Sequence, residues 1–193
     1  MDFLGRETVK ENTCLSGGAT GADLQWGMVA GSKGHSVFHF SFAGHRSQAP
    51  TEEIVILSPE QLEAADEPLK AASARVKRYF PPKSLFVRNL LRRNWYQVAA
   101  AERVYAVATL TDGLVSGGTA WATAMFIDRF NGAACECYVF DQAVSAWFIW
   151  NGDGWTPIAP PAPHGLWAGI GSRELQQNGK EAIRALLGYV KPS

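Results

Sequence analysis

Three glycine turns, each set between an apolar run and a helical stretch, constrain this chain more than any other feature. They span residues 16–23 (SGGATGAD), 116–119 (SGGT) and 169–173 (GIGSR). A strand that stops on glycine and resumes as a helix is the repeating unit of a parallel α/β sheet. The flanking runs agree. Residues 12–16, 35–42, 103–110, 134–140 and 166–170 read as mostly apolar strands, as expected of a sheet covered on both faces. Residues 22–31, 59–78, 84–101, 117–130 and 173–190 read as helices. Ser58 and Pro59 supply an N-cap and a first helical residue for the second of these, and Pro81-Pro82 should end it. In the strand at 35–42, Val37, His39 and Ser41 share one face and Phe38, Phe40 and Phe42 the other. The stretch after it, 43–58, reads as polar loop, and 111–116 as loop. Ile183, Leu186, Leu187 and Val190 repeat at helical spacing for burial. The fold class is therefore α/β: a Rossmann-like parallel sheet with helices on both faces.

Size and charge narrow the reading further. A chain of 193 residues forms one domain with a real core. Residues 1–193 are read as that single domain, with a helical insert at about 43–84 and a Trp-rich loop or surface hairpin at about 144–165. Lys+Arg and Asp+Glu both total 18, which argues against general nucleic-acid binding, where affinity comes from phosphate neutralisation. No run approaches the roughly 20 apolar residues of a membrane span, and the first residues lack a signal-peptide core. Three cysteines without a CxxC pair fit free thiols in a reducing, cytoplasmic setting. Charge is also segregated. Residues 51–69 hold six acids and no base, whereas 70–93 hold eight bases and no acid. This is either a solvated helix pair or a basic rim for a phosphorylated ligand.

The turns carry the candidate chemistry. In α/β sheets, ligands bind outside the carboxyl ends of the strands. Glycines let the backbone approach them, and a helix start offers N–H groups and the positive end of its dipole. Ser16, Gly17, Gly18, Thr20 and Gly21 form the first candidate cradle. Asp23 either hydrogen-bonds ribose hydroxyls or only complements the helix dipole. Gly117, Gly118 and Thr119 form the second cradle. Gly171, Ser172 and Arg173 form the third, where a guanidinium could fork to a phosphate. Arg93 and Asn94 are candidates for a phosphate or base edge, or are a surface arginine and a cap. His45, near a strand end, could line the same pocket. Asp23 and Asp141 are the two carboxylates at strand ends that could act together in glycosidic cleavage; otherwise the first caps a helix and the second ties a loop. His35, His39, His45 and His164 are dispersed, and neither a metal nor a cofactor is expected. Trp147, Trp150 and Trp155 either stack on a base or seal a core or an interface.

SGGATGAD, followed by RN-x-x-x-V-x-x-A (Arg93, Asn94, Val98, Ala101), the run RVYAV and GGT, resembles the SLOG superfamily, and within it the YpsA-like branch. The resemblance covers roughly residues 12–42, 86–141 and 166–190. It implies a Rossmann-like domain that binds a nucleotide-derived small molecule, such as a mononucleotide or ADP-ribose, and a possible homo-oligomer. The family's G-S-R motif ordinarily precedes the SGG-x-x-GAD turn. Here it stands at Gly171-Ser172-Arg173, so the resemblance implies a circularly permuted SLOG topology. LOG-type members are N-glycosidases of the phosphoribohydrolase kind, with a glutamate three residues past the threonine of GGT. That position is Ala122 here, which favours binding over hydrolysis. A protein-interaction domain that kept the fold and lost the ligand is the third possibility.

Overall fold

The computed structural model describes residues 11–188. In chain order its first half contains β1 (Thr13–Ser16), α1 (Ala22–Ser32), β2 (Ser36–Phe42), β3 (Ile54–Leu57), α2 (Pro59–Ala64), α3 (Asp66–Val76) and α4 (Leu85–Val98). The second half contains β4 (Arg103–Ala108), the short pair β5 (Leu110–Thr111) and β6 (Leu114–Val115), and α5 (Thr119–Asp128). It ends with β7 (Cys137–Asp141), β8 (Ala146–Trp150), β9 (Trp155–Pro157), β10 (Leu166–Gly171) and α6 (Gln177–Leu186).

One sheet runs β3-β2-β1-β10-β4-β7-β8-β9. It is parallel from β3 through β7, and the β8–β9 hairpin extends it antiparallel. The chain therefore makes an α/β fold with a mostly parallel central sheet, of Rossmann-like type. Side chains alternate across the strands as a pleat requires. In β4, Val104, Ala106 and Ala108 face a core shared with Leu62, Leu69, Leu91, Trp121 and Phe126 of α2 to α5. Tyr105 and Val107 face the opposite core, with Trp26 of α1 and Ile183 of α6. The two faces of β2 divide in the same way: Phe38, Phe40 and Phe42 lie in the first core and Val37 in the second.

Strand β10 is interior. It pairs with β1 (Cys14 beside Trp167) and with β4 (Gly169 beside Tyr105). Its apolar residues on both faces fit this covered position, although its partners β1 and β4 are far from it in sequence.

Several boundaries differ from the sequence reading. Residues 43–58, read as polar loop, contain β3, which pairs with β2 at the sheet edge. Residues 43–84 thus contribute an edge strand to the sheet and two helices to the layer beside it. The helix expected at 59–78 is two helices that meet at Ala65. The second ends in a left-handed Lys77 (φ 54), so the backbone stops it before Pro81 is reached. Residues 110–115 fold as a small hairpin rather than an open loop. The last helix begins at Gln177 rather than at 173, leaving Arg173 in the preceding loop. Ile183 is fully buried and Leu186 and Leu187 pack beside it; Val190 lies outside the described residues. Among the described residues, no helix is long and apolar enough to cross a membrane.

Candidate functional site

The chain runs outward through β1, β2 and β3 on one side, then returns to β4 and β7 on the other. The order reverses at β10, and a parallel sheet places its ligand crevice at such a reversal. A cavity of about 590 Å³ opens there, within the usual range for small-molecule sites. All three glycine turns reach it: Thr20 from the first, Gly117, Gly118 and Thr119 from the second, and Gly171, Ser172 and Arg173 from the third. Helix α4 forms the facing wall. It contributes Val87, Leu90 and Leu91 as an apolar strip, and Arg93, Asn94 and Gln97 as a polar one.

Asp23 is the hub beneath the cavity. Its Oδ2 accepts hydrogen bonds from Arg93 Nη1 at 3.0 Å and Gln97 Nε2 at 3.1 Å. Its Oδ1 accepts the Gly171 N–H at 3.0 Å. Asp23 and Arg93 are both buried. Burial pushes the Asp23 carboxyl above the ordinary aspartate value, while Arg93, Gln97 and the Gly171 amide pull it down. Its role is therefore to join α1, α4 and the turn after β10, which is more than complementing a dipole. The Arg93 Nε has no hydrogen-bond partner among the described residues, so the guanidinium is only part-satisfied by protein.

The first turn builds this hub: Ala19, Thr20 and Asp23 line the cavity, whereas Ser16, Gly17, Gly18 and Gly21 do not. A Cβ on Gly17 would lie 1.3 Å from Arg93 Nη1 and 2.4 Å from Asp23 Oδ2, so only glycine lets the buried ion pair cross the turn. Gly21 has φ 106, and a Cβ there would lie 2.4 Å from the Arg173 carbonyl oxygen. The Gly18 carbonyl accepts from the Ser47 hydroxyl at 3.0 Å, anchoring the loop after β2. The buried Ser16 hydroxyl lies 2.6 Å from the Gly169 carbonyl oxygen, tying β1 to β10. The expected free N–H at the start of α1 is already taken, since Ala22 donates to the Ser172 carbonyl at 3.0 Å.

The second turn is different. Gly117 and Gly118 open α5 into the cavity, and a Cβ on either would meet nothing within 4 Å. Among the described residues no side chain caps this helix; the Trp121 N–H turns back to the Gly118 carbonyl at 3.1 Å, and the N–H groups before it, like those of any helix start, have no partner within the helix. The adjacent carbonyls are held from outside: Arg78 Nη1 donates to Gly117 O at 2.7 Å and Asn94 Nδ2 to Gly118 O at 3.2 Å. Arg173 lines the cavity as an exposed side chain. Among the described residues it forms no ion pair with its neighbour Glu174 or any other acid. Ala122 presents a methyl group to the same space.

Two expected residues lie elsewhere. Asp141 is buried at the end of β7, where Oδ1 accepts the Ala143 N–H at 2.9 Å, and it does not line the cavity that Asp23 borders. His45 also lies off the lining. Its Nδ1 is 2.9 Å from the Ser41 hydroxyl and its ring stacks on Phe42. Burial first, then Arg93 and Arg173, lowers it to about 4, so it is neutral at pH 7. None of Trp147, Trp150 and Trp155 borders the cavity; Trp147 packs on Tyr105 and Phe140. The basic run divides. Arg92 is spent on a bidentate pair with Asp66 (2.6 and 2.7 Å), whereas Arg78 and Arg93 belong to the cavity region.

Sequence reading missed Gln97 and Gln142. Gln97 stands four residues after Arg93, the spacing that puts two side chains on one helix face. Gln142 accepts the Gln176 N–H at 2.7 Å and donates to the Glu174 carbonyl at 3.2 Å, fixing the loop that carries Arg173. Its only sequence signal is its place just past the strand end at Asp141. Among the described residues, no group of three His, Cys, Asp or Glu side chains is arranged to hold a metal ion. Comparison with protein-family models, with curated proteins and with solved structures returns no match to this chain.

Proposed function

We propose that this cavity binds a nucleotide-derived small molecule, a mononucleotide or ADP-ribose, without cleaving it. The observation that carries the reading is the uncapped start of α5, opened by Gly117 and Gly118 and accompanied in the same lining by the exposed Arg173. Unpaired helix N–H groups and a nearby guanidinium form an anion site. The apolar strip of Val87, Leu90 and Leu91 suits a base. Chemistry at the sugar has little support. Asp23 spends both oxygens on protein donors, and Ala122 stands where LOG-type enzymes carry a glutamate. The place of β10 between β1 and β4 supports the companion reading of a circularly permuted SLOG-like sheet.

Isothermal titration with AMP, ADP-ribose and adenosine tests the proposal. The phosphorylated compounds should bind at least about tenfold more tightly than adenosine, the factor that one charge-assisted contact supplies. Chromatography of the mixture should show no free adenine. Equal binding of adenosine and AMP, or no binding of any of the three, would overturn the reading. Release of adenine would replace it with an N-glycosidase.

A further inference from the structure

A second cavity, of about 330 Å³, lies against a different stripe of α5. Ala120, Thr123 and Ile127 face it, whereas Thr119 and Ala122 face the first cavity. Its other walls come from α3, the β5–β6 turn and the β8–β9 hairpin. Trp150 and Trp155 meet there edge to face, with centroids 5.5 Å apart. Both indole N–H groups are spent on backbone carbonyls: Trp150 on Gly132 at 2.9 Å and Trp155 on Gly113 at 3.2 Å. The rings therefore offer the cavity carbon surface and π-electrons rather than donors.

Charge decides what such a wall holds. One cation is already on it, since the Arg75 guanidinium lies 5.4 Å from the Trp150 centroid. Arg75 is also paired with Asp128, Nε to Oδ1 at 2.9 Å, so its charge is met within the protein. Asp112 and Asp153 are exposed members of the same lining, and neither takes part in an ion pair among the described residues. With Arg75 offset, the opening is net negative over aromatic walls. That combination selects a cation with an apolar body, through cation–π attraction and carboxylate pairing.

We propose that this cavity is a second binding site, for a small organic ammonium ion carrying an aromatic or aliphatic group. The inference is independent of the nucleotide reading, because it uses other residues and another face of α5.

The test compares three probes of similar size, the phenethylammonium ion, phenethyl alcohol and phenylacetate. Their binding to the full chain is followed through the Trp155 indole N–H resonance, identified with Trp155→Phe. The ammonium ion should bind about three- to tenfold more tightly than the alcohol, the range two exposed carboxylates supply, and the carboxylate most weakly. Raising the salt to 0.5 M should reduce that advantage to its cation–π part, since exposed pairs are screened. So should the double variant Asp112→Asn/Asp153→Asn. Position 112 has φ 50, a conformation asparagine tolerates, and both side chains are exposed, so the variant should melt as the parent does. Equal binding of alcohol and ammonium, tightest binding of the carboxylate, an advantage unchanged by salt and by the double variant, or an unmoved resonance with all three would each overturn the proposal.

Discussion

Asp23 and Arg93 show how one buried pair can hold a site together. Three segments meet at this carboxylate, and Gly17 leaves room for the guanidinium that neutralises it. Breaking a buried pair from one side is costly, because the remaining charge stays out of water. Asp23→Asn should therefore lower stability by about 3–5 kcal/mol, measured by urea unfolding, and should loosen ligand binding as Arg93 shifts. A loss below about 1 kcal/mol, the scale of an ordinary neutral hydrogen bond, would show that the pair is not the hub. Arg173 is the converse case. It is exposed and free of ion pairs among the described residues, so its removal takes little from the fold. Arg173→Ala should weaken AMP binding about tenfold to a hundredfold, equivalent to about 1.4–2.8 kcal/mol, with the melting temperature nearly unchanged. Unchanged affinity in a titration would remove Arg173 from the site.

Among the elements, local chemistry explains some boundaries well and others not at all. Ser58 accepts the Gln61 N–H at 3.2 Å, and the Gln61 side chain accepts the Ser58 N–H at 2.8 Å, a full capping box ahead of Pro59. Ser58→Ala should cost about 0.5–2 kcal/mol by chemical denaturation, and Ser58→Asn much less. Equal losses in both variants would mean that the cap hydrogen bond is not what the serine supplies. Strand β3 had no comparable signal. Ile54 and Val55 are half-buried and Ile56 is 60% exposed, leaving only Leu57 buried, because an edge strand packs on one side. A four-residue run next to acids reads as loop until β2 offers it hydrogen bonds. The β8–β9 hairpin also depends on its neighbour, since β8 gains its place by pairing with β7.

At the scale of the whole molecule, pH reports how the two layers close over the sheet. His39 is 1% exposed on β2. Burial first, then the Arg93 guanidinium, lowers its imidazole to about 4, even with Glu53 Oε2 3.6 Å from its Nε2. The unfolded chain takes up this proton near pH 6.5 and the native protein does not. The stabilisation is therefore complete above about pH 6.5 and is lost as pH falls toward 4. At about 1.4 kcal/mol per unit, His39 should account for up to about 3 kcal/mol of acid destabilisation, with a smaller share from half-buried His45. Unfolding free energies measured from pH 7.5 to 4 should show this slope, and His39→Gln should flatten it. An unchanged slope in the variant would assign the acid loss to other groups. The alternation of apolar runs, glycine turns and helical stretches was enough to establish the α/β class, the parallel sheet, the interior place of the 166–171 strand and the gathering of three turns at one edge. Those features follow from short-range periodicity and from the rule that parallel strands share their carboxyl ends. Only the tertiary structure decided which glycines make room for protein and which leave space for a ligand. Gly17 and Gly21 are filled from Arg93 and the Arg173 backbone, residues remote in sequence, whereas Gly117 and Gly118 face open space. Likewise Asp23 became a hub through partners remote in sequence that no local pattern announces, whereas Asp141 ties its loop by a local contact two residues on. Packing density is a property of what arrives from elsewhere in the chain, and a turn's own residues do not encode it.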